Sequence, residues 1–285
     1  MTNTRRNGAS SRQCMFCGNR GQMTKEHAWP RWLGRRIPVE PVQYSYNSGF
    51  SRTSETALTE LANESVVKQG SVLTSRIREV CATCNNGWMS RLEEEVRPHL
   101  EKLWAPGYPL GLTVLDEEAV ATMAAWATKT PWVRERAAQH ENTADSVTRL
   151  HLATTLTVPP LTAVWAARHN GELNFAAFTA AVEVSHQDQH WKLGERREVM
   201  LCCLVFRNLA VLVRTDSGTG VPPMQLPGET WRQLAPSQGS VLWPPSRPIN
   251  DEEATLVAKV VSGWLKMPEA SAFNRSPGWR YRRQN

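Results

Sequence analysis

Leu92, Val96, Leu100 and Leu103 recur at intervals of four, four and three, the spacing of one helical face. Arg91 and Glu95 stand one turn apart on the polar side and can pair for a few tenths of a kcal/mol. Pro98 predicts that this helix is kinked or split in two. Pro106-Gly107-Tyr108-Pro109 closes the segment. Asp116 then caps a second helix, with Glu117 and Glu118 in the first turn where they suit the helix dipole, and Pro131 starts another short helical segment. Further on, the pattern becomes that of strands. One hairpin runs Leu161–Ala167, turns at Asn170-Gly171 and returns through Leu173–Val184; a second runs Glu198–Phe206, turns at Arg207-Asn208 and returns through Leu209–Arg214. Residues 217–248, rich in Pro, Gly and Ser, read as mostly loop, and Asn250 with Glu253 makes a capping-box start for a last helix, Asp251–Lys266.

Nearer the N-terminus the pattern is weaker. Residues 1–12 read as a flexible arm and 37–75 as an insertion loop with one short helix near Ser54–Ala62. Thr74 to Val80 reads as a strand. The chain is therefore expected to be α+β. Residues 1–105 form an N-terminal domain, and residues 106–285 an antiparallel sheet with surrounding helices. No catalytic motif occurs in the second part, which leaves target recognition or oligomerisation, a homodimer included, open as its role.

A length of 285 residues with 41% hydrophobic and 21% charged residues excludes a disordered chain. No apolar run approaches the roughly 20 residues of a membrane span. The polar, basic stretch Met1 to Arg12 is not a secretory signal. The expectation is a cytoplasmic protein whose cysteines stay reduced, which favours metal over disulfides. The net charge of +6 is unevenly spread. Residues 1–36 hold eight Lys/Arg against one acid, a local charge of +7, and the last eighteen residues carry +3, leaving −4 for the middle. Such concentration predicts a polyanionic partner, with DNA first.

The chemistry sits in Cys14-Met15-Phe16-Cys17, Glu26-His27 and Cys81-Ala82-Thr83-Cys84-Asn85. Two Cys-x-x-Cys turns supply four thiolates, enough to fill a tetrahedral Zn²⁺ shell, so Cys14, Cys17, Cys81 and Cys84 are expected to hold a structural zinc. Cys202 and Cys203 lie in the apolar run Met200–Phe206 and read as buried strand residues. Trp29, Trp32, Trp88 and Met89 read as core. A neutral His27 can accept a proton from water near pH 7. Carboxylate and carboxamide oxygens suit Mg²⁺ or Mn²⁺, and Arg31, Arg35 and Arg36 can meet phosphates. Asn85 can ligate metal or cap the helix that follows it.

Cys-x-x-Cys, then Glu-His followed by Pro30, then Cys-x-x-Cys-Asn opening a helix, resembles the HNH endonucleases with the ββα-metal fold. The resemblance covers residues 14 to about 104. It implies a zinc-stapled ββα-metal domain and a metal-dependent endonuclease acting on DNA. Glu26 and Asn85 would hold the catalytic Mg²⁺ or Mn²⁺, and His27 would be the general base. Defence, restriction or a mobile element would be the setting. The chain departs from the family in having Glu26 for the usual Asp. Ser75 and Arg76 stand where an asparagine normally steadies the loop carrying the base, and 53 residues lie between His27 and Cys81. A second reading keeps the cysteines and the basic arm but not the catalysis: an inactive zinc-stabilised module that binds nucleic acid or protein.

Overall fold

The computed structural model describes residues 12–37, 44–48, 64–68, 72–104, 112–137, 143–186, 197–218, 224–237, 239–255 and 279–282. The arm at 1–11 and the helix expected near Ser54–Ala62 lie outside them. So does the continuation of the last helix beyond residue 255.

In chain order the elements begin with strand β1 (Met23–His27), the short helix α1 (Leu33–Arg36), strands β2 (Tyr44–Ser48) and β3 (Glu64–Lys68), and β4 (Arg76–Cys81). Helix α2 (Ala82–Cys84) leads through a π-helical turn, Asn85–Met89, into α3 (Ser90–Trp104). Strand β5 (Thr113–Leu115) precedes α4 (Glu117–Ala137) and α5 (Ser146–Thr155). Strands β6 (Thr162–Arg168), β7 (Phe175–His186), β8 (Arg197–Phe206), β9 (Leu209–Asp216), β10 (Arg232–Ala235), β11 (Val241–Trp243) and β12 (Trp279–Arg282) complete the described set. The chain is thus a mixed α and β protein whose sheets are antiparallel.

The largest sheet has the order β10-β6-β9-β8-β7-β12, each pair antiparallel. The expected β8–β9 hairpin forms across Arg207-Asn208, where Arg207 takes a left-handed φ of 51°. The other expected hairpin does not form. β6 pairs with β9 and β10, and β7 with β8 and β12. Strands β8 and β9 are apolar on both faces, so they take the centre of the sheet and separate β6 from β7. Within residues 217–248, expected to be mostly loop, two short strands occur: β10 joins this sheet and β11 pairs with β5. The stretch read as an insertion loop contains a strand pair, β2 with β3.

Alternation along β8 divides the core. Met200, Cys202, Leu204 and Phe206 face the helices, while Val199, Leu201, Cys203 and Val205 face the opposite side. Both cysteines here are fully buried strand residues, as read from the sequence. Helix α4 lies against β6, β9 and β10 and also touches α3 and β4. Its Trp132 indole donates to Thr215 Oγ1 at 3.2 Å. One continuous apolar cluster runs from Phe16 and Trp29 through α3 and α4 to Trp243. Trp29 is fully buried edge-on to Phe175 and Phe206, with ring centroids 4.8 and 6.0 Å away.

Pro98 does not split its helix and Pro131 does not start a new one; both are carried inside helices. Pro98 lies within α3 on its exposed face, where water can satisfy the carbonyl that loses its partner. Pro131 lies inside the 21-residue α4. Packing on the sheet holds that helix, and Thr128 and Thr130 return their hydroxyls to the carbonyls of Ala124 and Trp126. Leu92, Val96, Leu100 and Leu103 are all buried, and an i,i+4 ion pair on this helix joins Arg97 to Glu101 at 3.0 Å. Asp116 caps α4 through Ala119 N–H at 2.8 Å. Asn250 and Glu253 form the reciprocal capping box at 2.9 and 3.0 Å, and residues 251–255 are helical.

Candidate metal centres and cleft

The four cysteines meet. Sγ atoms of Cys14, Cys17, Cys81 and Cys84 all lie within 4.8 Å of one another. Bonds of about 2.3 Å to a tetrahedral zinc require sulfur–sulfur edges of about 3.8 Å, and Cys17 Sγ stands 3.7 Å from Cys81 Sγ. The four cysteines are arranged to hold a metal ion, and their donor set and spacing are compatible with structural zinc. Local geometry builds each half. Gly18, with φ +71°, turns the first knuckle back so that its N–H reaches Cys14 O at 2.9 Å. Cys81 ends β4 and Cys84 ends α2, which brings the second pair onto one turn. The Cys81 N–H donates to Cys14 Sγ at 3.4 Å. Hydrogen bonds from the Cys84 thiol and from backbone N–H groups hold Cys14 well below the ordinary thiol range. The same contact, with burial, pushes Cys84 up. Arg149 of α5 buttresses the knuckle by donating to Met15 O at 2.6 Å and also to Ala144 O.

Beside this clamp, β1 and β4 pair antiparallel, with Met23 opposite Cys81 and His27 opposite Arg76. A bulge between Thr24 and Glu26 turns the Glu26 side chain into the protein. The π-helical turn that follows Cys84 brings Asn85 back to β1. A cleft of about 460 Å³ opens where β1 meets this turn and α3. Glu26, His27 and Asn85 line it, and so do Arg31 and Arg35. Arg36 does not; its guanidinium pairs with Glu101 at 2.9 Å. Lys25, Arg97, Glu93 and Glu94 complete its charged lining. Trp29, Trp32, Trp88 and Met89 are buried, as read from the sequence.

Hydrogen bonding fixes the orientation of Asn85. Thr24 donates its one hydroxyl proton to Val80 O at 2.9 Å, so it can only accept from Asn85. Asn85 accordingly presents Nδ2 to Thr24 Oγ1 at 2.8 Å, and Oδ1 is the end left to act as a ligand. Asn85 does not cap the following helix; its own φ and ψ are helical. Glu26 is 5% exposed. Burial pushes its carboxyl up to about 7 against the pull of Lys129, whose Nζ lies 3.8 Å away. Lys129 Nζ also meets Glu93 Oε1 at 2.6 Å. His27 is held below its ordinary value by burial first and by Arg76 and Arg31 next, so the imidazole is neutral at pH 7. Its Nε2 accepts the Nε–H of Arg76 at 2.9 Å, which puts the ring proton on Nδ1.

Reading the sequence did not assign Lys25, Arg76, Glu93, Glu94, Arg97 or Lys129 to the site. Arg76 and the Ser75 carbonyl, which accepts Ala28 N–H at 2.9 Å, hold the segment carrying His27. Glu93 follows Asn85 by eight residues, about two helical turns, and that spacing was the available signal. Comparison with known proteins finds no family model, no curated protein and no solved structure that matches the chain. Among the described residues no helix is long and apolar enough to cross a membrane.

Proposed function

We propose that this chain is a metal-dependent endonuclease that hydrolyses phosphodiester bonds of DNA. His27 is the general base, and Glu26 and Asn85 hold a divalent cation, Mg²⁺ or Mn²⁺. One observation carries the proposal: Glu26, His27 and Asn85 line a single cleft together with Lys25, Arg31, Arg35 and Arg97. An antiparallel strand pair running through a four-cysteine clamp into a helix also agrees with the ββα arrangement that the HNH resemblance implies.

The donor set suits a hard cation: a carboxylate and a carboxamide oxygen, with two acids drawn to one charged point. When bound, the ion supplies positive charge against the phosphate and the leaving 3′ oxygen. The chain's own residues do the rest. Arg31, Arg35 and Lys25 attract and seat flanking phosphates. His27, neutral and half-buried, takes the proton of the attacking water. In the free protein its Nε2 lone pair is engaged by Arg76. A guanidinium binds a phosphate oxygen more strongly than a neutral imidazole, so substrate draws Arg76 away and uncovers the base.

The test is plasmid cleavage by purified protein with and without Mg²⁺ or Mn²⁺, in wild type and in His27→Ala. Cleavage that needs the divalent ion and disappears in His27→Ala supports the proposal. DNA binding without cleavage, indifferent to His27→Ala, supports the inactive binding module instead.

A further inference from the structure

A lysine in a protein interior is costly unless its charge is met. Lys129 on α4 is 1% exposed, and its ammonium meets two acids from different elements. Glu93 Oε1 of α3 lies at 2.6 Å and Glu26 Oε1 of β1 at 3.8 Å. Both acids line the cleft, while Lys129 lies outside its lining. The ammonium therefore reaches the acids from behind, through the core. A tie between α3 and α4 alone would need only Glu93. Here the same ammonium also reaches the buried acid that precedes His27.

We infer that Lys129 is a positioning residue of the cleft and that Glu93 is its second acid. The ammonium holds both carboxylates from the core side, so that together they receive one divalent cation from the cleft side. The inference rests on reading the cleft as a divalent-metal site. Its electrostatics are consistent: with both acids ionised, two carboxylates and one ammonium sum to −1, and a divalent ion turns this to +1, the sign a phosphodiester needs. With Lys129 removed, two buried carboxylates lose the one charge that holds them together and offsets their repulsion. The site should then hold the ion less tightly.

The test is Mn²⁺ binding by the zinc-loaded full-length protein, measured from the electron paramagnetic resonance signal of free Mn²⁺, with circular dichroism to verify folding. Lys129→Met should weaken binding about tenfold, because the two carboxylates lose the ammonium that holds them together. Glu93→Gln should weaken it about tenfold by removing a charged oxygen ligand. The double variant should weaken it by less than the product of the two, since both changes act on one contact. Unchanged or tighter binding in a folded Lys129→Met protein overturns the inference, as does unchanged binding in Glu93→Gln. A wild type that takes up no Mn²⁺ also overturns it. Should Lys129→Met fail to fold, Glu93→Gln decides alone. The readout separates the two proposals. Mn²⁺ binding that follows both variants in a protein that never cuts DNA keeps this inference and ends the nuclease reading. Cleavage with Mn²⁺ affinity indifferent to both variants does the reverse.

Discussion

Replacing Cys84 by Ala removes one of four ligands from a clamp that joins stretches far apart in the chain. Cys17 and Cys81 are 64 positions apart. The chain-entropy estimate for a cross-link closing a loop of that length is about 4 kcal/mol. A domain's whole stability is on the order of 5–15 kcal/mol. Cys84 is also buried in the apolar cluster that continues through α3. Loss of the clamp should therefore lower the melting temperature by about 10 °C or more, at roughly 2–4 °C per kcal/mol for a chain of this size. The assay is zinc content by elemental analysis together with thermal unfolding, with and without a strong chelator. Wild type should carry one zinc per chain and lose the same stability on chelation that Cys84→Ala lacks from the start. A wild-type protein that purifies without zinc and melts unchanged in chelator would refute the reasoning.

Three further outcomes follow from particular contacts. Arg76→Ala should cost about 1.5–3 kcal/mol of charge-assisted bonding to substrate, seen as a tenfold or greater loss in kcat/KM for DNA cleavage. Trp29→Ala should destabilise the fold by about 3–5 kcal/mol, because the indole is fully enclosed between Phe175 and Phe206, and urea unfolding should show the midpoint fall. Asp145 caps α5 by accepting Thr148 N–H at 2.7 Å, and that bond holds its carboxyl below the ordinary range. A depressed carboxyl contributes stability above its unfolded value and loses it as pH falls through its folded value. The gap in melting temperature between wild type and Asp145→Ala should therefore be open at neutral pH and close in acid.

What could be read from the sequence was local. The two Cys-x-x-Cys turns, the spacing of Leu92, Val96, Leu100 and Leu103, and the tight turn at Arg207-Asn208 all depend on neighbours a few positions away. Partner choice in the sheet does not. The β6 segment looked like half of a hairpin with β7, yet it pairs with β9, because two strands apolar on both faces must sit centrally. The separate helix expected to start at Pro131 does not form for a similar reason: one lost hydrogen bond is a local cost, outweighed by packing along the whole helix. In the cleft, Glu26, His27 and Asn85 were legible because a four-cysteine clamp makes sequence-distant residues neighbours. Lys129 was not, since nothing in an apolar helix announces which acid its ammonium will reach. Arg76 was marked only by standing, with Ser75, where an asparagine was expected, and the β1–β4 register is what sets it opposite His27.

The most direct test of the central claim is chemical rescue of the base. His27→Ala protein, with its zinc retained, should cut DNA negligibly in Mg²⁺ or Mn²⁺ and regain cleavage in proportion to added imidazole, because the small molecule can occupy the space left in the cleft. Cleavage by His27→Ala at the wild-type rate without imidazole would contradict the account.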